Sequence, residues 1–252
     1  MPRARGLTRV TLVEDHELFA EAMDVALTLE GHDVHRVAVT EAGLSAGHLI
    51  EAILRSRPRV VLLDLNLGTS TNGARVVQPL TAVGIAVVVV TGSIDRARWG
   101  ECLSYGARTV LSKSAPLNTI LATIRLIGEG RRVLTREERD RLLACFHEER
   151  GRVVDNRARL ESLTIREREI LGHLINGQQV RDIAQTSFVS ETTVRTQVKS
   201  ILGKLGVSSQ LAAVTVALRA RWRPPVQLEY RQQLDYREQR ERGEQTEHRE
   251  QS

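Results

Sequence analysis

The chain has 252 residues, 36 Lys and Arg against 31 Asp and Glu for a net charge of +5, and only 3% aromatic residues. That length allows one large domain or two small ones, and an apolar fraction of 41% builds cores from Val, Leu, Ile and Ala. The longest strongly apolar run, Ile85–Val90, is far short of the ~20 residues a membrane helix needs, which argues against a membrane partner.

The basic N-terminus lacks the apolar stretch of a secretory signal, and Cys102 and Cys145 have no metal-type spacing, which suits a reducing compartment. A cytoplasmic location is expected. Residues 1–130 are charge-balanced, while the basic excess lies in 131–160, nine against six, and 161–222, eight against five. Such a distribution favours a polyanionic partner for that part of the chain.

Five short runs rich in β-branched residues come first: Val10–Val13, Val34–Val39, Val60–Leu65, Ala86–Val90 and Thr109–Leu111. Between and after them, Glu17–Leu29, Ala42–Arg55, Gly73–Val83, Arg96–Tyr105 and Leu117–Ile127 carry apolar residues at helical spacing. The alternation predicts an α/β domain over 1–130, a doubly wound parallel sheet with helices on both faces.

The strand ends carry the chemistry. The first run ends in Glu14-Asp15, the third in Asp64, the fourth in Thr91-Gly92, and the fifth is followed by Ser112-Lys113. In an open parallel sheet these ends share one edge, where ligands bind. Three carboxylates, a hydroxyl and an ammonium gathered there suit a divalent metal plus a phosphoryl group. Each residue alone has a plainer role: Glu14-Asp15 as helix-start acids, Asp64 as a turn aspartate, Lys113 as a solvated lysine. His16, His32, His35, His48, His147 and His173 show no ligand spacing and are expected at the surface or at caps.

The set ValGluAspHis (13–16), LeuLeuAspLeuAsn (62–66), ValThrGly (90–92) and LeuSerLys (111–113) resembles the receiver domain of two-component response regulators. The resemblance implies Asp64 as phosphoacceptor for a sensor histidine kinase. It implies Mg²⁺ held by Asp15, Asp64 and the Asn66 carbonyl, with Glu14 acting through water. Thr91 and Lys113 are implied to bind the phosphoryl group. Three positions depart from the family pattern: Gly68 in place of a proline, a polar and seemingly longer loop over 69–72, and Val110 in place of an aromatic residue. The last puts the family's usual aromatic switch in question.

From 131 to 160 charge becomes dense, and a helical linker is expected. Thr135 and Glu138 match a capping box, with Leu142, Leu143 and Phe146 as a narrow stripe on a short exposed helix. Gly151 is expected to break it before a second helix near Asp155–Leu163.

Thr164 with Glu167 predicts a capped helix ending at Asn176-Gly177. Val180–Thr186, a three-residue turn, and a helix capped by Ser190 from Glu191 to Leu205 match a helix-turn-helix unit. A fourth helix is expected over Ser209–Arg221.

The strings 163–171, 182–184 and 190–207 closely resemble the LuxR/NarL class of DNA-binding domain, spanning 161–222. By residue-wise carry-over Arg195, Thr196 and Lys199 lie where that class reads the major groove, and Thr193 where backbone contacts are made. Ile165, Val180-Arg181 and Gln197 depart from the class pattern. The tail, 223–252, has too few apolar residues to fold alone, with a transient helix around Tyr230, Leu234 and Tyr236.

The whole predicts a DNA-binding response regulator, homodimeric when active, that turns over no external substrate. Two other readings compete with it. A phosphorylation-independent regulator with a degenerate receiver switch fits Val110 and Gly68. An aspartyl-phosphate phosphohydrolase wants an acid two residues after the nucleophile, where this chain has Asn66.

Overall fold

The computed structural model describes residues 8–39, 45–67 and 71–224, without the side chains of 71 and 72. The Gly68 loop and nearly all of the tail lie outside them. The chain divides into a first unit ending at Glu149 and a second starting at Arg150.

The first unit is built on five parallel strands: β1 (Arg9–Val13), β2 (Asp33–Val37), β3 (Val60–Leu63), β6 (Ala86–Thr91) and β7 (Thr109–Ser112), in the order β2-β1-β3-β6-β7. Because side chains alternate across a strand, each run feeds two cores. Val61, Leu63, Val87 and Val89 pack on one face with α2 (Ala46–Arg55), α3 (Ala74–Ala82) and α4 (Arg96–Ser104). Val60, Leu62, Val88 and Val90 pack on the other with α1 (Glu17–Leu29) and α5 (Leu117–Gly128). Burial on both faces explains the near-continuous apolar strands.

The pairing sets the edge in register. Val13 lies opposite Leu63, Leu63 opposite Val89, and Thr91 opposite Ser112. The residues that follow these positions therefore emerge together at the carboxyl edge of the sheet.

Two features differ from the sequence expectation. The segment after Asp64 is no plain loop, because β4 (Asn66–Leu67) pairs antiparallel with β5 (Thr71–Asn72). The chain returns across the Asp64-Leu65 backbone at Gly73, whose N–H donates to Leu65 O at 3.1 Å. A Cβ at that position would fall on the Asp64 carbonyl oxygen.

The second difference is α6 (Arg136–Glu161), one helix of 26 residues. Gly151 does not break it. Glycine within a helix costs only about 1 kcal/mol, and its flanks are good helix formers. Nor is the stripe exposed: Leu142 is 2% accessible and belongs to the first core. Half of the expected capping box forms, with Thr135 Oγ1 accepting from the Glu138 N–H at 3.1 Å, while the Glu138 carboxylate accepts from Arg96 at 2.8 Å.

In the second unit α7 (Ile165–Ile175), α8 (Val180–Thr186), α9 (Glu191–Leu205) and α10 (Gln210–Arg219) close around Leu160, Leu171, Ile183, Val194, Ile201 and Ala213. The Thr164–Glu167 capping box is complete, and Ser190 and Ser209 cap their helices through side-chain oxygens. Glu167 does more than cap. Its carboxylate also accepts from Ser200 Oγ and Lys204 Nζ, each at 2.7 Å, fastening α7 to α9. His173, expected at the surface or at a cap, is 7% exposed and bonded to Gln178. It lies on the buried face of α7 because Ile170, Leu171 and Leu174 surround it in sequence.

Candidate functional site: an acidic pocket and a recognition helix

At the carboxyl edge of the sheet, Glu14 and Asp64 have side chains only 2% and 1% exposed, and Asp15 follows Glu14 at the rim. Lys113, just past β7, donates to Glu14 Oε1 at 2.7 Å and to Asp64 Oδ2 at 2.9 Å. One ammonium thus spans two buried carboxylates, an arrangement that sequence order alone could only suggest. Its aliphatic stem permits this reach while Nζ stands 5.3 Å from the Phe19 ring.

The electrostatics follow from that crowding. Burial pushes the Glu14 carboxyl above its ordinary range and the Asp64 charge pushes the same way, against Lys113 and the His16 N–H. Burial works against the Lys113 charge, but its hydrogen bonds to Glu14 and Asp64 outweigh it and raise the lysine. Three carboxylates against one ammonium leave a local negative excess that a hard cation would neutralise.

Ligand atoms of Glu14, Asp15, His16 and Asp64 all lie within 4.8 Å of one another. Three of these are carboxylate oxygens, which suit a magnesium-type ion that keeps several waters. His16 is exposed, as expected of a surface or cap residue, and it also joins this cluster. It occupies the N-cap position of α1 without a side-chain cap bond. Its Nδ1 instead turns to Asp15 Oδ1 at 2.9 Å and Glu14 Oε1 at 3.2 Å. The adjacency of Glu14, Asp15 and His16 in sequence was the available signal.

The Asn66 backbone N–H donates to Asp64 Oδ1 at 3.2 Å. Thr91, fully buried, ends β6 and accepts the Ser93 N–H at 3.1 Å. Val110 is packed in the core at 6% exposure, and the Tyr105 hydroxyl donates to Glu101 at 3.3 Å. The structure therefore brings Glu14, Asp15, Asp64 and Lys113 together directly, with Asn66 attached through its backbone.

In the second unit α9 buries Val194, Val198, Ile201 and Leu205. Thr193, Arg195, Thr196 and Lys199 are all exposed. The spacing of 195, 196 and 199 places them on one face. Arg195 is held by Glu191 at 3.1 Å, Thr196 Oγ1 donates to Thr192 O at 3.0 Å, and Thr193 Oγ1 lies 2.9 Å from Ser190 Oγ. The α8–α9 pair displays that face as a helix-turn-helix unit does.

An acidic strand-end pocket on a five-stranded α/β unit, followed by a helix-turn-helix unit, defines a receiver joined to a DNA-binding output domain. Residues 10–125 match the response regulator receiver domain, and residues 161–217 match the bacterial regulatory proteins of the luxR family. The chain is 31% identical over 215 residues to the probable transcriptional regulatory protein NarL of Mycobacterium tuberculosis, covering 84% of this chain and 94% of that one. It is 28% identical over 210 residues to a nitrate/nitrite response regulator protein homolog of Haemophilus influenzae, covering 82% and 95%. Among solved structures, a two-component response regulator RcsB–DNA complex aligns with a TM-score of 0.45 at 19% identity, covering 84% of this chain and 98% of that one. The chain belongs to the LuxR-family two-component response regulators.

Proposed function

We propose that this protein is switched by phosphorylation of Asp64 and answers by sequence-specific binding of DNA as a homodimer, so regulating transcription. The observation that carries the reading is the Lys113 ammonium joined to both Glu14 and Asp64. It prepares a buried carboxylate to accept a second negative group. The phosphoryl donor is a phosphohistidine of a sensor kinase. An Asp64 oxygen attacks phosphorus, the P–N bond breaks, and the histidine nitrogen keeps the electron pair.

Asp15, Asp64 and the Asn66 carbonyl would hold Mg²⁺ directly, with Glu14 through water. The ion supplies charge neutralisation for the transferring oxygens. Lys113 orients the phosphoryl oxygens, and the Thr91 hydroxyl, which accepts from the Ser93 N–H, donates its own proton to one of them. The Asn66 amide is not an acid that can protonate a leaving group, which disfavours a phosphohydrolase. The receiver takes part in its own phosphorylation but turns over no external substrate. A regulator that binds DNA independently of phosphorylation is the second reading, favoured by Val110, which is packed in the core with no polar atom to sense a phosphoryl group.

The proposed division is a receiver over 1–130, a connecting helical segment over 131–160, the DNA-binding domain over 161–222 and a tail over 223–252. The protein acts in the cytoplasm and away from membranes. On α9, Arg195, Thr196 and Lys199 enter the major groove and Thr193 holds the backbone. The test is DNA binding at fixed salt, before and after acetyl phosphate with Mg²⁺, for wild type and Asp64→Asn. Tighter binding in wild type alone is expected. Label uptake without a change in DNA affinity supports the second reading.

A further inference from the structure

Arg98, on α4, reaches back toward the loop that carries the phosphoacceptor. Its Nη1 stands 3.5 Å from Asn66 Oδ1, and the Asn66 N–H in turn donates to Asp64 Oδ1 at 3.2 Å. One asparagine therefore lies between this guanidinium and the carboxylate. The Arg98 contact is at the long limit for a hydrogen bond. Among the described residues Arg98 makes no salt bridge, whereas Lys113 is committed to two carboxylates. Among the described residues Arg98 is thus a cation near the pocket without a fixed anionic partner.

A phosphoryl group on Asp64 would raise the charge there from one negative unit to about two, beside Glu14 and Asp15. A single ammonium compensates that poorly. A guanidinium has the planar fork that pairs with phosphoryl oxygens, and such charge-assisted bonds are about twice as strong as neutral ones. An amide oxygen is the weaker partner, so the exchange runs toward the phosphoryl group.

We propose that Arg98 is a phosphoryl-holding residue. When Asp64 is phosphorylated, the guanidinium leaves Asn66 Oδ1, donates to the phosphoryl oxygens, and ties α4 to the modified site. The inference rests on phosphorylation of Asp64. It supplies a polar link at a site where Val110 offers none.

Two consequences follow. The guanidinium covers the Asn66 side of the acyl phosphate and slows hydrolysis, in which a water oxygen attacks phosphorus, the Asp64 oxygen–phosphorus bond breaks, and phosphate leaves. Movement of α4 is also passed on. Arg96 binds Glu138 at 2.8 Å, Arg139 donates to Leu103 O at 3.0 Å, and Gly100 packs on the Leu142 backbone where no Cβ fits. The first half of α6 must follow α4. Trp99, next to Arg98, donates its indole N–H to Ser93 O at 2.9 Å and reports the movement.

The experiment uses the full chain, labelled with acetyl phosphate and Mg²⁺ and then freed of donor. Label decay is followed for wild type, Arg98→Ala and Arg98→Lys, with Trp99 emission recorded in a Trp222→Phe background. Severalfold faster decay in Arg98→Ala, an intermediate rate in Arg98→Lys and loss of the Trp99 response are expected. Should Arg98→Ala melt early, Arg98→Gln repeats the test with the stem retained. Equal decay and an unchanged Trp99 response in the variants overturn the role of Arg98 while leaving Asp64 phosphorylation standing. No label in wild type overturns both.

Discussion

Replacing Glu167 with Gln keeps the side-chain shape and removes its charge. In the native second unit this carboxylate accepts from Lys204, Ser200 and the Thr164 N–H, each at 2.7 Å. Burial opposes the charge, but these donors outweigh it and hold the carboxyl at about 2, against an ordinary 4.5. Each pKa unit is worth about 1.4 kcal/mol, so the interactions stabilise the native unit by up to about 3 kcal/mol at neutral pH. Because the native value is depressed, the unfolded chain takes up the proton first as pH falls. The contribution is therefore full above about 4.5 and lost as pH falls through about 2.

Trp222 packs against the core of this unit, so urea unfolding followed by its fluorescence, in a Trp99→Phe background, reads the effect. Glu167→Gln is expected to be less stable by up to about 3 kcal/mol at neutral pH, with the gap reduced to less than half near about pH 3. A neutral-pH difference below ~0.5 kcal/mol, the size of an ordinary surface change, would refute the reasoning. So would a gap that does not depend on pH.

Other outcomes are equally open to measurement. Gly100→Ala would drive a Cβ onto the Leu142 carbonyl and Phe146; overpacking of this kind costs about 1–3 kcal/mol, read as a lower melting temperature of the first unit. Cys102 is fully buried and its thiol is pushed up to about 12, chiefly by burial, so a thiol reagent at neutral pH should modify Cys145 alone until denaturant is added. Mg²⁺ should raise the melting temperature of the first unit by mass action on the native state, and Asp64→Asn should weaken that response. Arg195→Ala and Lys199→Ala should each weaken specific DNA binding by about 1–3 kcal/mol and relax the preference at the base pair that the residue reads; an unchanged sequence preference contradicts a base contact for that residue.

The architecture was legible where apolar periodicity and caps coincide. Val180–Thr186 and Glu191–Leu205 have the bounds expected from sequence, because Ser190 and Gly206 close the recognition helix at both ends. The β4–β5 ladder was not legible, since two-residue strands are too short to show a period. Continuity of α6 was hidden by Gly151, whose helix cost is small beside the flanking helix formers. The carboxylates and Lys113 were readable as strand-end residues. The turn of His16 toward Asp15 and Glu14 is a local contact that the adjacency of these residues signalled. The approach of Arg98 and the fastening of α7 to α9 by Glu167 are contacts between elements, set by packing rather than local pattern.

The most direct measurement maps the phosphoryl group itself. Full-length protein is incubated with acetyl phosphate and Mg²⁺, the acyl phosphate is trapped by reductive or hydroxylamine chemistry, and the modified peptide is identified by mass. Modification at residue 64, dependent on Mg²⁺ and lost in Asp64→Asn and Lys113→Ala, is the predicted result. Modification elsewhere, or none under conditions where Mg²⁺ stabilises the first unit, would contradict the account.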